Sequence, residues 1–264
     1  MDQARDFLEE CETLAAVLTG LADSDFERVT QFKDWTINDV LVHLHYWNRA
    51  ADLSVTDPDT FSAELAQLMG AFSDGSLRAY ENGKIPERGR ELFSLWQALY
   101  RDMADRWSKL DLKLRVKWAG PEMSVRSSMT ARQMETWAHG QEIFDLLGAE
   151  RRETDRIRNI VVLGVNTFGW TFKVRGWDIP AQMPHLSLTL PSGATCEYGE
   201  PGDAGSITGS AVEFAQVVTQ TRNIADTDLA VDGPVATQWM ENAQCFAGPP
   251  EPPPAPGSRF RGTS

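Results

Sequence analysis

From the amino terminus to about residue 175, apolar residues recur at steps of three and four, the period of helices that bury one face. Phe7, Leu8, Leu14, Ala15 and Leu18 mark such a stripe over residues 3–19, and Gly20 is placed to stop it. A second helix is predicted after Thr36, a good N-cap, carrying Ile37, Val40, Leu41, Leu44, Trp47 and Ala51. A shorter helix follows over 58–70, and 72–86, broken by Gly75 and Gly83, reads as an irregular connection. Leu92, Leu95, Trp96, Leu99, Met103 and Trp107 predict a longer helix over 87–110. Thr130 is placed to cap another, apolar nearly all round and therefore buried, that stops at Gly148. A last long helix is predicted over 155–172, where Ile157, Ile160, Val161, Leu163 and Val165 cluster.

The period then changes. Residues 185–190 alternate polar and apolar, Pro191-Ser192-Gly193 reads as a turn, and 194–198 returns as a second strand. The segment 206–211 introduces a helix with Val212, Phe214, Ala215, Val217 and Val218; 229–231 is strand-like and 234–246 helical. The expected class is α+β, mainly α: a helical domain over 1–150, a connecting helix over 151–175 and a small α+β domain over 176–247. The proline-rich run 248–264 is expected to be a disordered tail, and no internal repeat is seen.

Composition narrows the function classes. At 264 residues, with 42% apolar and 24% charged positions, the chain is long enough to bury a sizeable core. Its net charge of -13 argues against nucleic acid, and the basic residues Arg151, Arg152, Arg156 and Arg158 alternate with Glu150, Glu153 and Asp155 as a solvated face does. No stretch has membrane-span length, and the acidic amino terminus lacks the basic-then-apolar pattern of a secretory signal. Cys11, Cys196 and Cys245 are odd in number and far apart, which fits buried thiols in a reducing compartment. A cytoplasmic protein is expected.

Chemistry concentrates in two helices. Glu135 and His139 are one turn apart on one face, about 5–6 Å between Cβ atoms, within chelating reach, and Glu142 and Leu146 extend the stripe. A carboxylate inside an apolar helix is costly unless paired, hydrogen-bonded or metal-bound. His43 and His45 lie on the second helix but project about 200° apart, so they do not face one metal together. On a helical wheel His43 sits about 90° and His45 about 115° from the apolar centre, so periodicity leaves the choice open. Asp39, one turn before His43, and Glu142 are candidates to orient histidines, and Trp47 and Trp137 to wall a site. No nucleophile elbow, phosphate loop or dinucleotide fingerprint is present, and His185 has no assigned role.

The run Trp35-Thr36-Ile37-Asn38-Asp39-Val40-Leu41-Val42-His43, followed some ninety residues later by Met134-Glu135-Thr136-Trp137-Ala138-His139-Gly140-Gln141, resembles the DinB-like metal-binding superfamily. The branch it looks most like is typified by mycothiol-dependent maleylpyruvate isomerase. The resemblance implies a four-helix bundle over roughly 1–150, metal ligands His43, Glu135 and His139, and a smaller sterol-carrier-like α+β domain from about 176. It also implies an arginine presented toward the metal cleft from that domain, for which Arg222 corresponds and which would hold an anionic substrate.

The expectation is therefore a divalent-metal enzyme, with zinc as the ion and a low-molecular-weight thiol as cosubstrate, that isomerises or transfers to a small electrophile. A metal-dependent hydrolase, a non-catalytic metal- or small-ligand-binding module, and an inactive relative are the alternatives. A small-molecule substrate is the expected partner, without nucleic acid or membrane, and a homodimer is left open.

Overall fold

The computed structural model describes residues 2–73 and 75–262; Met1, Asp74 and the last two residues of the proline-rich tail lie outside the described residues. The chain divides into two compact units, Met1–Ala149 and Glu150–Ser264. It is mainly helical with a small sheet, as the periodicity predicts.

In the first unit α1 (Asp2–Leu18), α2 (Ile37–Thr56), α5 (Gly89–Trp107) and α6 (Val125–Leu147) form a bundle: α1 packs on α5 and α6, and so does α2. The apolar stripes predicted from the sequence meet inside it, where Phe7, Leu14, Trp96, Tyr100, Trp107 and Phe144 are sealed from solvent, although Leu95, placed in the α5 stripe, is 41% exposed. α3 (Pro58–Ser73) and α4 (Leu77–Lys84) pack on α2 and on each other, and a short hairpin, β1 (Arg115–Val116) with β2 (Met123–Ser124), precedes α6. No helix among the described residues is long and apolar enough to cross a membrane.

Local chemistry sets the ends of the two helices that matter most. Thr36 caps α2, accepting from the Asp39 amide while the Asp39 carboxylate accepts from the Thr36 amide, a reciprocal capping box. α6 starts earlier than Thr130: Ser124 is the cap, accepting from the Ser127 amide, and Gly148 ends the helix in the left-handed conformation. The region 72–86 is corrected from irregular connection to helix over Leu77–Lys84, with Gly83 inside it.

In the second unit α7 (Arg158–Asn166) and α8 (Phe168–Lys173) replace the single helix expected over 155–172. The Thr167 hydroxyl donates to the Leu163 and Gly164 carbonyls at the break, alongside the bonds that its own amide makes to the same two oxygens. Residues 151–175 cluster with this unit rather than forming a separate connector. The sheet is β3 (His185–Thr189), β4 (Thr195–Tyr198), β5 (Ser206–Ser210) and β6 (Ala230–Asp232), in the order β4-β3-β5-β6 with β3 and β5 parallel. β5 falls where a helix start was expected; its Ile207 pairs with Leu186 in the buried face, and its last residue, Ser210, caps α9 (Ala211–Val218). α7 meets α9 at Gly164, where an added Cβ would stand 3.0 Å from Phe214 and Val218. α10 (Pro234–Met240) ends the regular structure.

The tail expected to be disordered is instead tied down over 248–262. The Gln244 amide donates to Pro249 O, Arg175 and Gln220 donate to Glu251 O, and Asn223 donates to Pro254 O. An extended proline-rich chain has few amide donors of its own, but its carbonyls can accept, and the buried Gln220 and Gln244 amides together with Arg175 and Asn223 supply the donors.

Candidate metal centre

α2 and α6 bring His43, Glu135 and His139 together, their donor atoms all within 4.8 Å of one another. The His43 Nε2 and the His139 Nε2 each lie 3.3 Å from Glu135 Oε2. The two imidazole centroids are 4.7 Å apart. The side chains of His139 and Glu135 keep 15% and 20% of their exposure, so the group has an open side.

Around that opening the site is lined by aromatic rings. Trp35 stacks on His139 at 5.5 Å with an interplanar angle of 8°, and Phe32 meets the same imidazole edge-on at 5.1 Å. The turn that delivers Trp35 holds Lys33 and Asp34 at φ of 50° and 55°, left-handed conformations that cost a side-chain-bearing residue about 1 kcal/mol or more each. The turn closes with the Thr30 amide donating to the Trp35 carbonyl at 2.7 Å.

Beneath the open side two charged residues are sealed. Glu81 from α4, 1% exposed, places Oε1 3.0 Å from His43 Nδ1 and accepts from the Trp47 indole at 2.7 Å. Arg132, 3% exposed and one turn before Glu135, sets its Nη2 3.7 Å from Glu135 Oε1, with its guanidinium 5.2 Å from the Trp118 ring.

Protonation follows from this arrangement. Burial by itself lowers the His43 pKa, but the Glu81 and Glu135 carboxylates outweigh it and hold His43 up at about 9. Burial likewise opposes ionisation of Glu135, yet hydrogen bonds from both histidines and the charge of Arg132 keep it well below the usual carboxylate range. His139 is lowered by burial, and the charge on His43 lowers it further. A neutral imidazole is the form that binds a metal.

The donor set fits a divalent ion. Two imidazoles and one carboxylate are a set that catalytic zinc takes, and at bond lengths of about 2.0–2.2 Å with tetrahedral angles such donors stand about 3.3–3.6 Å apart. Both nitrogen-to-oxygen spacings fall at that value.

Of the residues singled out from sequence, His43, Glu135 and His139 are brought together, and it is His43 rather than His45 that lies against Glu135 and His139. His45 sits on another face of α2, where burial pushes its pKa down to about 4. Asp39 is not an orienting group for His43: its carboxylate is taken by the Thr36 cap and by Arg78. Glu142 is buried two turns along α6, outside the three-residue cluster. Trp47 does wall the site, its ring 6.2 Å from His43, while Trp137 lies in the sealed interior. Arg222 belongs to the second unit, after α9, where its Nη1 donates to Thr221 O at 2.8 Å. Glu81 and Arg132 were not foreseen. Arg132 had a readable signal, three residues before Glu135 on the same helix face.

Fold and site together define a helical-bundle protein with a two-histidine, one-carboxylate cluster and a small α+β second unit. The family described as mycothiol maleylpyruvate isomerase N-terminal domain matches residues 7–144, and the chain belongs to it. Two uncharacterized proteins of Mycobacterium tuberculosis, from strains CDC 1551 / Oshkosh and ATCC 25618 / H37Rv, are each 34% identical over 245 residues, 93% of this chain and 95% of the relative. The crystal structures of mycothiol-dependent maleylpyruvate isomerase and of a histidine-to-alanine mutant of it share the fold, with TM-scores of 0.52 and 0.53. Each is 15% identical and covers 82% of this chain and 87% of that chain.

Proposed function

We propose that this chain is a divalent-metal-dependent enzyme, with zinc on His43, Glu135 and His139, acting as a thiol-dependent isomerase or transferase on a small electrophile. The observation that carries the reading is the three-donor cluster with an open side, in a chain of the mycothiol maleylpyruvate isomerase N-terminal domain family. When bound, the ion supplies Lewis-acid chemistry, lowering the pKa of a thiol so that it reacts as thiolate near neutral pH. Glu135 and the two histidines hold the ion, Glu81 and Arg132 hold the ligands, and Trp35 and Phe32 shield the opening from water. Arg222 is assigned to the carboxylate of an anionic substrate through paired hydrogen bonds. A low-molecular-weight thiol such as mycothiol is the cosubstrate.

Elemental analysis of purified protein tests the site, with one zinc per chain expected and His139→Ala expected to lose it. Turnover of α,β-unsaturated carbonyl acids with mycothiol, bacillithiol or glutathione tests the activity, with a thiol requirement expected and Arg222→Gln raising KM for the acid. Zinc binding without turnover by any thiol would favour a binding module, and thiol-free cleavage of an ester or amide substrate by water would favour a hydrolase.

A further inference from the structure

Glu81 is a buried carboxylate beside the cluster that is not one of its three donors. Its Oε1 lies 2.7 Å from the Trp47 indole nitrogen and 3.0 Å from His43 Nδ1. Indole N–H is a donor and never an acceptor, so the Trp47 contact fixes that oxygen as an acceptor whichever imidazole tautomer is present. Trp47 follows His43 by four residues on α2, so one helix face presents both nitrogens to a single oxygen from α4. With an ion in place of the proton that Nε2 shares with Glu135 Oε2, a neutral His43 that meets the Glu81 oxygen carries its proton on Nδ1, and its Nε2 lone pair is the one directed at Glu135 and His139.

We infer that Glu81 is a positioning residue: it selects the Nδ1–H tautomer of His43 and aims Nε2 at the ion, and Trp47 anchors Glu81 in that pose. The inference rests on the metal reading above. It makes α4 a working part of the site. Replacements at Glu81 separate its two properties. Glu81→Gln keeps an acceptor oxygen at the same reach without the charge, Glu81→Asp keeps the charge and withdraws it by one methylene, and Glu81→Leu removes both.

The test combines zinc affinity, by competition with a chromophoric chelator, with the tautomer of His43 in the zinc-loaded protein, by long-range 1H–15N correlation. Wild type is expected to show Nδ1–H with Nε2 metallated. Glu81→Leu and Glu81→Asp are expected to lose about 10–100-fold in zinc affinity, the usual scale for an outer hydrogen-bond partner of a ligand. Glu81→Gln should retain the tautomer and most of the affinity, a rescue that general loss of packing would not produce. Thermal unfolding of each metal-free variant verifies the fold, and if Glu81→Leu does not fold, the Asp and Gln pair decides alone. Zinc bound to wild type with Nε2–H on His43, or unchanged affinity in Glu81→Asp, overturns this inference and leaves the metal site standing. A folded wild type that takes up no zinc overturns both.

Discussion

Two groups of polar side chains, one in each unit, are used in opposite ways. In the second unit Gln220, Gln244 and Asn223 reach the main chain: Gln220 donates to Ala243 O at 2.9 Å and Glu251 O at 3.0 Å, and Gln244 both donates to Pro249 O and accepts from the Glu251 amide. Each of these bonds fixes chain to chain, so the group is satisfied by the fold itself. In the first unit His43, Glu81, Arg132, Glu135 and His139, all ionisable, converge on one another, with Glu135 and His139 at an opening and Glu81 and Arg132 sealed beneath it. Such convergence is expensive to bury and gives little stability beyond what apolar packing would supply. Within one chain, the uncharged amides serve architecture, and the converging ionisable groups are the set on which the metal reading is proposed.

The sharpest way to break that contrast is to remove the central carboxylate. In metal-free protein Glu135→Leu takes away the counter-charge of Arg132 and an acceptor for both histidines, and a loss of about 2–4 kcal/mol in urea unfolding is expected. A neutral or stabilising result would mean that the group is not a paired network.

The next effect lies within α2, between its two histidines. His45 has a folded pKa of about 4 against 6.5 for the ordinary group, so the native state binds fewer protons than the unfolded one. Its contribution is complete above about pH 6.5 and is lost as pH falls toward 4, a loss of about 2–3 kcal/mol. Urea unfolding at pH 7 and pH 4.5 should show a smaller decline in His45→Gln than in wild type; equal declines would remove His45 from the account.

On the architectural side Gln220→Ala leaves Ala243 O without its side-chain donor and Glu251 O with Arg175 alone, and is expected to cost about 1–3 kcal/mol, with faster amide exchange around Glu251. Zinc affinity should be unchanged, and a change would contradict the division of labour. The smallest effect is at Asp39→Asn, which weakens the α2 capping box and the Arg78 pair by about 1 kcal/mol. Burial raises the Asp39 pKa, but Arg78 and Thr36 outweigh it and set the folded value below 3.8. That stability is present above about pH 3.8 and lost as pH falls through the folded pKa, so wild type and Asp39→Asn should converge in strong acid.

How much of this was legible in the sequence depended on whether a signal was periodic. α2 announced itself through apolar spacing and its Thr36 cap, α6 through apolar spacing and Gly148 though not its Ser124 start, and the Glu135–His139 step placed two donors on one helix face. Periodicity did not choose between His43 and His45, because both stand near the edge of the same apolar face. The choice is made by Glu81 and Glu135, partners 38 and 92 residues away. α4 was missed because eight residues with Gly83 inside offer too short a pattern, and Glu81 was missed with it. Asp39 was misread because its position one turn before His43 satisfies the geometry of an orienting group, while its position three after Thr36 satisfies a cap, and the cap prevails. The tail looked disordered because composition reports its missing donors and not the Gln220, Gln244 and Asn223 side chains that bind its carbonyls.

The central claim is that the converging charges of the first unit are a metal site. Anomalous X-ray scattering across the zinc edge, on crystals of the full chain grown with zinc, tests it most directly. A single strong peak bounded by His43 Nε2, Glu135 Oε2 and His139 Nε2, absent from His139→Ala crystals, is the predicted result; zinc-grown crystals with no anomalous density among those three side chains would contradict it.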